Sequence, residues 1–248
     1  MSSLRVVRDP ETLSRVAAEE FLTFGAEAIR DRGRFTVALS GGTTPRATYE
    51  RIAETWRQGP EGPLDWTRVH LFWGDERTVP IDDPRSNYHM VNEAMLERVP
   101  IPSENVHDVP AALPDPREAA NVYEARLVEF FRTGEGAAPR FDLVLLGLGP
   151  EGHVASLFPG TEALEETERL VCANWVESHQ TWRITLTLPV LNAAAHVMVL
   201  VAGAEKSEAL ARVLRGPHVP PLLPAERLAP TAGTLLWLAD RDAAVARD

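Results

Sequence analysis

The run Phe141-Asp-Leu-Val-Leu-Leu-Gly-Leu-Gly-Pro-Glu-Gly-His-Val-Ala-Ser-Leu-Phe-Pro-Gly160 takes an apolar strand into a loop of three glycines that delivers one histidine, His153. Glycine lets a backbone turn sharply and lets a ligand approach its N–H groups, here at Gly149 and Gly152. A histidine at the carboxyl end of a buried strand sits where open α/β sheets bind ligands. Its imidazole changes charge near neutral pH, so it can take a proton from water and return it. His153 is therefore the candidate acid–base, with Glu151 two residues before it.

Ser40-Gly41-Gly42-Thr43-Thr44-Pro45 follows a second apolar run, Phe35–Leu39, and opens a helix reaching about Arg57, with Pro45 read as its first residue. Free N–H groups, the helix dipole and three hydroxyls suit a phosphate. The plainer reading is a strand–helix turn with a Ser/Thr cap. Ala38-Leu-Ser40-Gly-Gly42 also approaches the Gly-x-Ser-x-Gly elbow of α/β-hydrolases, but that elbow comes late in its fold and here follows an early strand. Gly147-Leu-Gly149-Pro-Glu-Gly152 fits the dinucleotide fingerprint, which requires a long helix after its third glycine; Pro159 and Gly160 interrupt too soon.

A third strand, Val69–Trp73, ends in Gly74-Asp75-Glu76-Arg77. Asp75 and Arg77 share parity along an extended chain, so both can face a ligand, while Glu76 belongs equally to a solvated loop. Ser86-Asn87 follows, with Asn87 read as a helix cap or a donor to ligand hydroxyls. Arg183 and Lys206 are the candidate cations. The seven histidines form no i, i+4 pair, and the only cysteine, Cys172, lies in strand-like Leu170–Val176, so a metal site is not expected and Cys172 reads as a small buried hydrophobe.

These loops need a scaffold. Asp9-Pro10-Glu11 gives a cap, a first-position proline and an acidic first turn. Leu13, Val16, Ala17, Phe21, Phe24 and Ala28 keep helical spacing, and Gly33 ends the helix. Further helices are expected at Asn87–Arg98, Arg117–Arg132 and Lys206–Leu214. Strands are expected at Phe141–Leu146, Leu170–Val176, Arg183–Leu188, His196–Ala202 and Leu235–Leu238. Alternation of this kind implies an α/β fold with a mainly parallel sheet and helices on both faces. One domain over 1–248 is expected, with a smaller subregion near the C-terminus. Proline clusters at Gly59–Pro63, Pro110–Pro116 and Pro217–Pro224 read as surface connections.

With 36 acidic against 25 basic residues, the net charge of −11 opposes binding to nucleic acid and anionic membranes. An anionic substrate would need a local basic pocket. No apolar run reaches membrane-spanning length, and the start, Met-Ser-Ser-Leu-Arg-Val-Val-Arg, has no signal-peptide core, so a cytoplasmic protein is expected.

The blocks Leu39–Pro45, Gly74–Pro80 with Ser86-Asn87, Gly147–Pro159, Arg183-Ile-Thr-Leu and Gly203-Ala-Glu-Lys206 together resemble the 6-phosphogluconolactonase family, in family order and over most of the chain. Glu151 stands where members commonly carry aspartate. The related glucosamine-6-phosphate deaminase/isomerases resemble the same Ser-Gly-Gly and Gly-His stretches but carry a glutamate where this chain has Phe158. A non-catalytic sugar-phosphate sensor would need a DNA-binding segment and a basic face, which the acidic N-terminal region lacks. The resemblance implies a modified Rossmann-like sheet without nucleotide and a phosphate held by Ser40, Gly41, Gly42, Thr43, Thr44, Arg183 and Lys206. It further implies hydrolysis of a sugar-phosphate lactone by His153, with Asp75, Arg77 and Glu151 assisting. No metal or organic cofactor is expected, and the expected state is a monomer or weak homodimer.

Overall fold

The computed structural model describes residues 2–59, 62–134, 136–216 and 218–245, so Pro60, Glu61 and Pro217 of the expected proline-rich connections lie outside the described residues. The chain runs β1 (Ser2–Val7), α1 (Pro10–Arg32), β2 (Phe35–Leu39), α2 (Thr43–Thr55), β3 (Val69–Trp73), β4 (Asp75–Arg77), α3 (Asn87–Ala94), β5 (Val106–His107) and α4 (Pro116–Phe131). It continues through β6 (Leu143–Gly147), β7 (Val171–Val176), β8 (Thr181–Leu186), α5 (Leu188–Ala193), β9 (His196–Val201), α6 (Ser207–Arg215), β10 (Thr234–Asp240) and α7 (Arg241–Ala244).

The first helix follows its local signals. The Asp9 carboxylate accepts from the Thr12 N–H at 2.8 Å, Pro10 occupies the first turn, and Gly33 at φ 78° closes the helix by donating its N–H to Ile29. Elsewhere the ends move. The third helix stops at Ala94, and Leu96–Arg98 forms a separate 3-10 turn. Arg183 stands inside β8 rather than at its start, and Leu188, expected to end that strand, opens α5. Lys206 closes a 3-10 turn and α6 begins at Ser207.

Seven parallel strands form the main sheet in the order β1-β10-β9-β6-β2-β3-β5. Lateral pairing places Ala38 beside Phe72, so Phe35 and Phe72 project from opposite faces. Phe35 packs edge-on against Phe21 of α1, and Phe72 against Phe130 of α4, which puts helices on both faces. All five residues of β2 are buried, as a strand covered on both sides requires.

A second sheet, β4-β8-β7, is antiparallel. The smaller subregion expected near the C-terminus is this sheet, and it lies in mid-chain; β9 and β10 join the main sheet instead. Gly74 joins the two sheets, donating its N–H to Leu39 at 2.7 Å and accepting from Leu186 at 2.8 Å. Cys172 is buried, and burial pushes its thiol up to about 11. No helix among the described residues is long and apolar enough to cross a membrane.

Two histidines are built into the sheet on the Phe72 face. His70 Nδ1 and His107 Nε2 stand 3.3 Å apart, and the His107 ring stacks on Phe72 at 4.2 Å. A hydrogen bond there needs one ring nitrogen to donate and the other to accept. Burial, with His70 and Arg126 adding repulsion, lowers His107 to about 4 from 6.5. The unfolded chain therefore takes up this proton first, and stability declines as pH falls from about 6.5 to about 4. In His107→Phe that contribution is gone. Because the ring is partly exposed, the effect is about 1 kcal/mol, or roughly 2–4 °C less loss of Tm between pH 7 and pH 4 than in the wild type. Thermal melts across that range check it; parallel Tm curves for the two proteins would refute it.

Candidate functional site

The chain places β3 and β5 on one side of β2, then returns to place β6 on the other. That reversal opens a crevice at the carboxyl ends of β6 and β2, where doubly wound sheets bind ligands. A cleft lies there, walled by Ser40–Pro45 after β2, Asp75 and Arg77 after β3, Gly147–Gly149, His153 and Ala155 after β6, Arg183 from β8, and Ala202 and Lys206 after β9.

Gly42 caps α2 at φ 106° with no side-chain cap bond, so the first-turn N–H groups of Thr43 and Thr44 stay uncapped by side chains at the cleft wall. The Ser/Thr cap is thus not the role of these hydroxyls. Pro45 is the third helical residue, not the first, and its lost N–H is among those an α-helix leaves unpaired. The Ser40 hydroxyl oxygen is buried with no protein partner. Its main chain is held by Tyr49, whose hydroxyl accepts from Ser40 N at 3.0 Å and donates to Ser40 O at 2.9 Å. Tyr123 treats Trp73 at the end of β3 in the same way, at 2.9 and 3.0 Å. Each tyrosine pairs both backbone groups of a residue where its strand leaves the sheet, and burial raises the pKa of both phenols.

Asp75 and Arg77 face the cleft, as their parity predicts, and Glu76 points away into the protein. Glu76 is no solvated loop residue. It is 3% exposed and accepts from the N–H groups of Arg77, Asn87 and Tyr88 at 2.7–2.8 Å and from Ser86 Oγ at 3.0 Å. Burial raises its pKa and the three N–H groups oppose that rise. It thereby pins the start of α3, whose cap is Ser86.

Asn87, expected as a cap or a ligand donor, is the first helical residue and is buried behind the cleft wall. Its Nδ2 donates to the Asp75 carbonyl at 2.8 Å, and its Oδ1 lies where a Cβ on residue 41 would be, 1.9 Å away, so Gly41 is the residue that admits it.

Arg77 and Arg183 are paired across β4 and β8, and the Nε of each is buried without a protein acceptor. Burial lowers the pKa of Arg183; Asp75 counters this and Arg77 adds to it. Arg77 is tied by one guanidinium nitrogen to the Arg85 carbonyl. Asp75 Oδ2 accepts from Ser156 Oγ at 2.6 Å. Lys206 rides on the turn after Gly203, whose N–H is held by the buried carboxylate of Asp240 at 3.1 and 3.2 Å.

His153 sits against Gly149, where a Cβ would come within 2.0 Å of Nδ1. The loop is closed by Gly149 N–H to His153 O and Gly152 N–H to Gly149 O, both at 2.9 Å. Gly152, expected at the ligand, is instead a turn residue at φ 79° packed on Leu223 and is absent from the cleft wall. Glu151 Oε2 stands 3.3 Å from His153 Nδ1, and that contact holds the carboxyl down at about 2. The Phe158 ring covers one face of the imidazole, centroids 4.1 Å apart and planes 24° apart. Ala155, at φ 48° in the turn Val154–Leu157, has the left-handed backbone that places His153 and Ser156 as described.

Sequence reading finds the cleft residues and misses what supports them: Tyr49, Ser156, Asp240 and the backing ring of Phe158. Among the described residues no group of three or more His, Cys, Asp or Glu is placed to hold a metal ion.

The arrangement joins a histidine oriented by a carboxylate to a basic wall of two guanidiniums and a lysine. It suits proton transfer on a small anionic molecule. The sequence model described as glucosamine-6-phosphate isomerases/6-phosphogluconolactonase matches residues 8–237. A 6-phosphogluconolactonase of Nostoc sp. is 43% identical over 238 residues, 96% of this chain and 95% of that one. One of Synechocystis sp. is 44% identical over 217 residues, 88% and 86% of the two chains. Among solved structures, a 6-phosphogluconolactonase from Trypanosoma cruzi superposes with TM-score 0.85 at 29% identity, covering 98% of this chain and 96% of that one.

The tyrosine clamp gives a test. Tyr49→Phe leaves the Ser40 N–H and carbonyl buried without their partner, which costs about 1–3 kcal/mol. Urea unfolding should show that loss with an unchanged m-value; a midpoint equal to that of the wild type would remove the clamp from the account.

Proposed function

Because the chain belongs to the glucosamine-6-phosphate isomerase/6-phosphogluconolactonase family, we propose that its cleft hydrolyses 6-phospho-D-glucono-1,5-lactone to 6-phospho-D-gluconate, in the oxidative pentose phosphate pathway and in the cytoplasm. The observation that carries this reading is the pairing of His153 with Glu151 beside two guanidiniums whose Nε atoms lack protein acceptors.

The phosphate binds first, at the Thr43 and Thr44 N–H groups, the Ser40 hydroxyl, Arg183 and Lys206. These groups supply the local positive charge that a chain of net charge −11 needs for a dianion. The Glu151 carboxylate, 3.3 Å from Nδ1, favours by its charge the tautomer with the proton there, which leaves Nε2 as the basic nitrogen. Nε2 takes a proton from water as the water oxygen bonds to the lactone C1. The carbonyl electrons move onto oxygen, and that oxyanion is met by Arg77 and loop N–H groups near Gly149. Collapse of the adduct expels the ring oxygen, which takes the proton back from His153. The products are an acid and an alcohol in one chain, with no covalent enzyme intermediate.

The isomerase branch of the family is the second reading. There the acid–base glutamate would occupy the position of Phe158, and here that position holds a hydrocarbon ring stacked on His153. This favours the hydrolase.

The test couples glucose-6-phosphate dehydrogenase, which makes the lactone in solution, to measured acid release. Added protein should speed acid release in proportion to its concentration and liberate no ammonia from glucosamine 6-phosphate. His153→Asn should lower kcat by about 10²–10⁴-fold with KM within about twofold. Arg183→Ala should raise KM at least about tenfold, the loss of one charge-assisted contact. Unchanged acid release, or full turnover by His153→Asn, would overturn the reading.

A further inference from the structure

We propose that Phe158 is a positioning residue for His153, its ring face fixing the plane of the imidazole and stabilising the imidazolium formed during turnover. This rests on the reading of His153 as the base.

The contacts around His153 divide the work. Glu151 meets one nitrogen, at 3.3 Å and without hydrogen-bond geometry, so it biases the tautomer by charge and does not fix the plane of the ring. Gly149 offers only space along the ring edge. Across one ring face lies Phe158, with centroids 4.1 Å apart and planes 24° apart. Phe158 is 5% exposed and is not part of the cleft wall; it backs the imidazole from a neighbouring groove that it lines with Trp175 and Trp182. It therefore acts through His153 and not on the substrate.

A ring that cannot tilt keeps Nε2 aimed at one point, the condition for proton transfer to a positioned water. Charge gives a second effect. The face of an aromatic ring carries partial negative charge and attracts a cation lying on it. A neutral imidazole gains little from that face and an imidazolium gains more, so the contact strengthens as His153 takes its proton. Interactions of that kind raise kcat without tightening substrate binding. The other charged and titratable groups around this pair are Glu151 at Nδ1, the cleft residues Asp75, Arg77, Arg183 and Lys206, the groove residues Arg117, Glu162 and Glu177, and His179. The His179 ring tilts against Phe158 at 5.4 Å and is hydrogen-bonded to Ser178. All of these remain when Phe158 alone is changed.

Phe158→Leu keeps an apolar side chain and removes the π face; Phe158→Tyr restores it. In the coupled assay Phe158→Leu should lose about 5–30-fold in kcat with KM within twofold, and Phe158→Tyr should stay within about threefold of the wild type. Titration of the His153 Cε1–H resonance by NMR, without substrate, should move to lower pH in Phe158→Leu and return in Phe158→Tyr. The NMR arm needs no turnover, so it separates this proposal from the function: full turnover by His153→Asn removes the base, whereas the titration tests the ring. An unmoved His153 titration in Phe158→Leu overturns the proposal, whatever the turnover. So does a kcat equal to that of the wild type, or a loss that Phe158→Tyr does not repair. If Phe158→Leu fails to fold, Phe158→Met carries the same expectations.

Discussion

Two guanidiniums side by side are the constraint on which the cleft depends. Arg77 and Arg183 occupy facing positions of β4 and β8, and neither Nε finds an acceptor in the protein. Like charges brought together and partly removed from water disfavour their own ionised forms, the direction in which burial and Arg77 push Arg183. Two carboxylates of β4, Asp75 and Glu76, offset part of this. The remainder is positive charge without a protein partner, held at the cleft wall by strand pairing. In a chain of net charge −11 this charge is local and opposes the overall field.

The segments that carry this wall are stapled by buried acids, each facing backbone N–H groups. Glu76 ties the start of α3 behind Arg77, and Asp240 pins the Gly203 turn that carries Lys206. Asp142 accepts from both Thr36 N and Thr36 Oγ1 at 2.8 Å and from Arg32 Nε at 2.8 Å, fixing the ends of α1 and β2 before the chain enters β6. A carboxylate accepting several donors keeps its charge at low cost and converts a flexible connection into a fixed one. The cleft loops are therefore held by acids that do not line the cleft.

The fold was legible in sequence where its signals were local. Asp9, Pro10 and Gly33 bound α1 through contacts within a few residues, and β2, β3 and β9 are apolar runs of strand length. Strand β1 was invisible because five of its six residues are exposed and its order comes from pairing with β10 at the far end of the chain. The two-residue β5 offers no period at all. Within the site, His153 announced itself through its glycines. Ser156 did not, since its bond to Asp75 spans 81 residues and nothing near it in sequence calls for a hydroxyl. Asn87 was misread because a residue after serine at a helix start resembles a cap, and only the fold shows that Ser86 already fills that role.

The long-range bond from Ser156 to Asp75 joins the two halves of the chemistry. The turn Val154–Leu157 reverses the chain through Ala155, so that His153 faces the cleft while Ser156, three residues on, reaches back into β4. Thr185 accepts from Ser156 N and Asn174 donates to Ser156 O, so the turn is anchored to all three strands of the small sheet through β4, β8 and β7. That sheet also carries Arg77 and Arg183. His153 and the two arginines are thus tied to the same small sheet, and their spacing follows its antiparallel pairing as well as the parallel sheet beneath. A displacement of the small sheet would carry His153 and both arginines together while leaving the Ser40–Thr44 loop behind. The contacts that resist that displacement are Gly74, hydrogen-bonded to Leu39 and Leu186, and Asn87, packed against Gly41. The buried Asn87 amide occupies the space a side chain at residue 41 would need, and a Cβ at residue 74 would press on the Leu39 carbonyl at 3.3 Å.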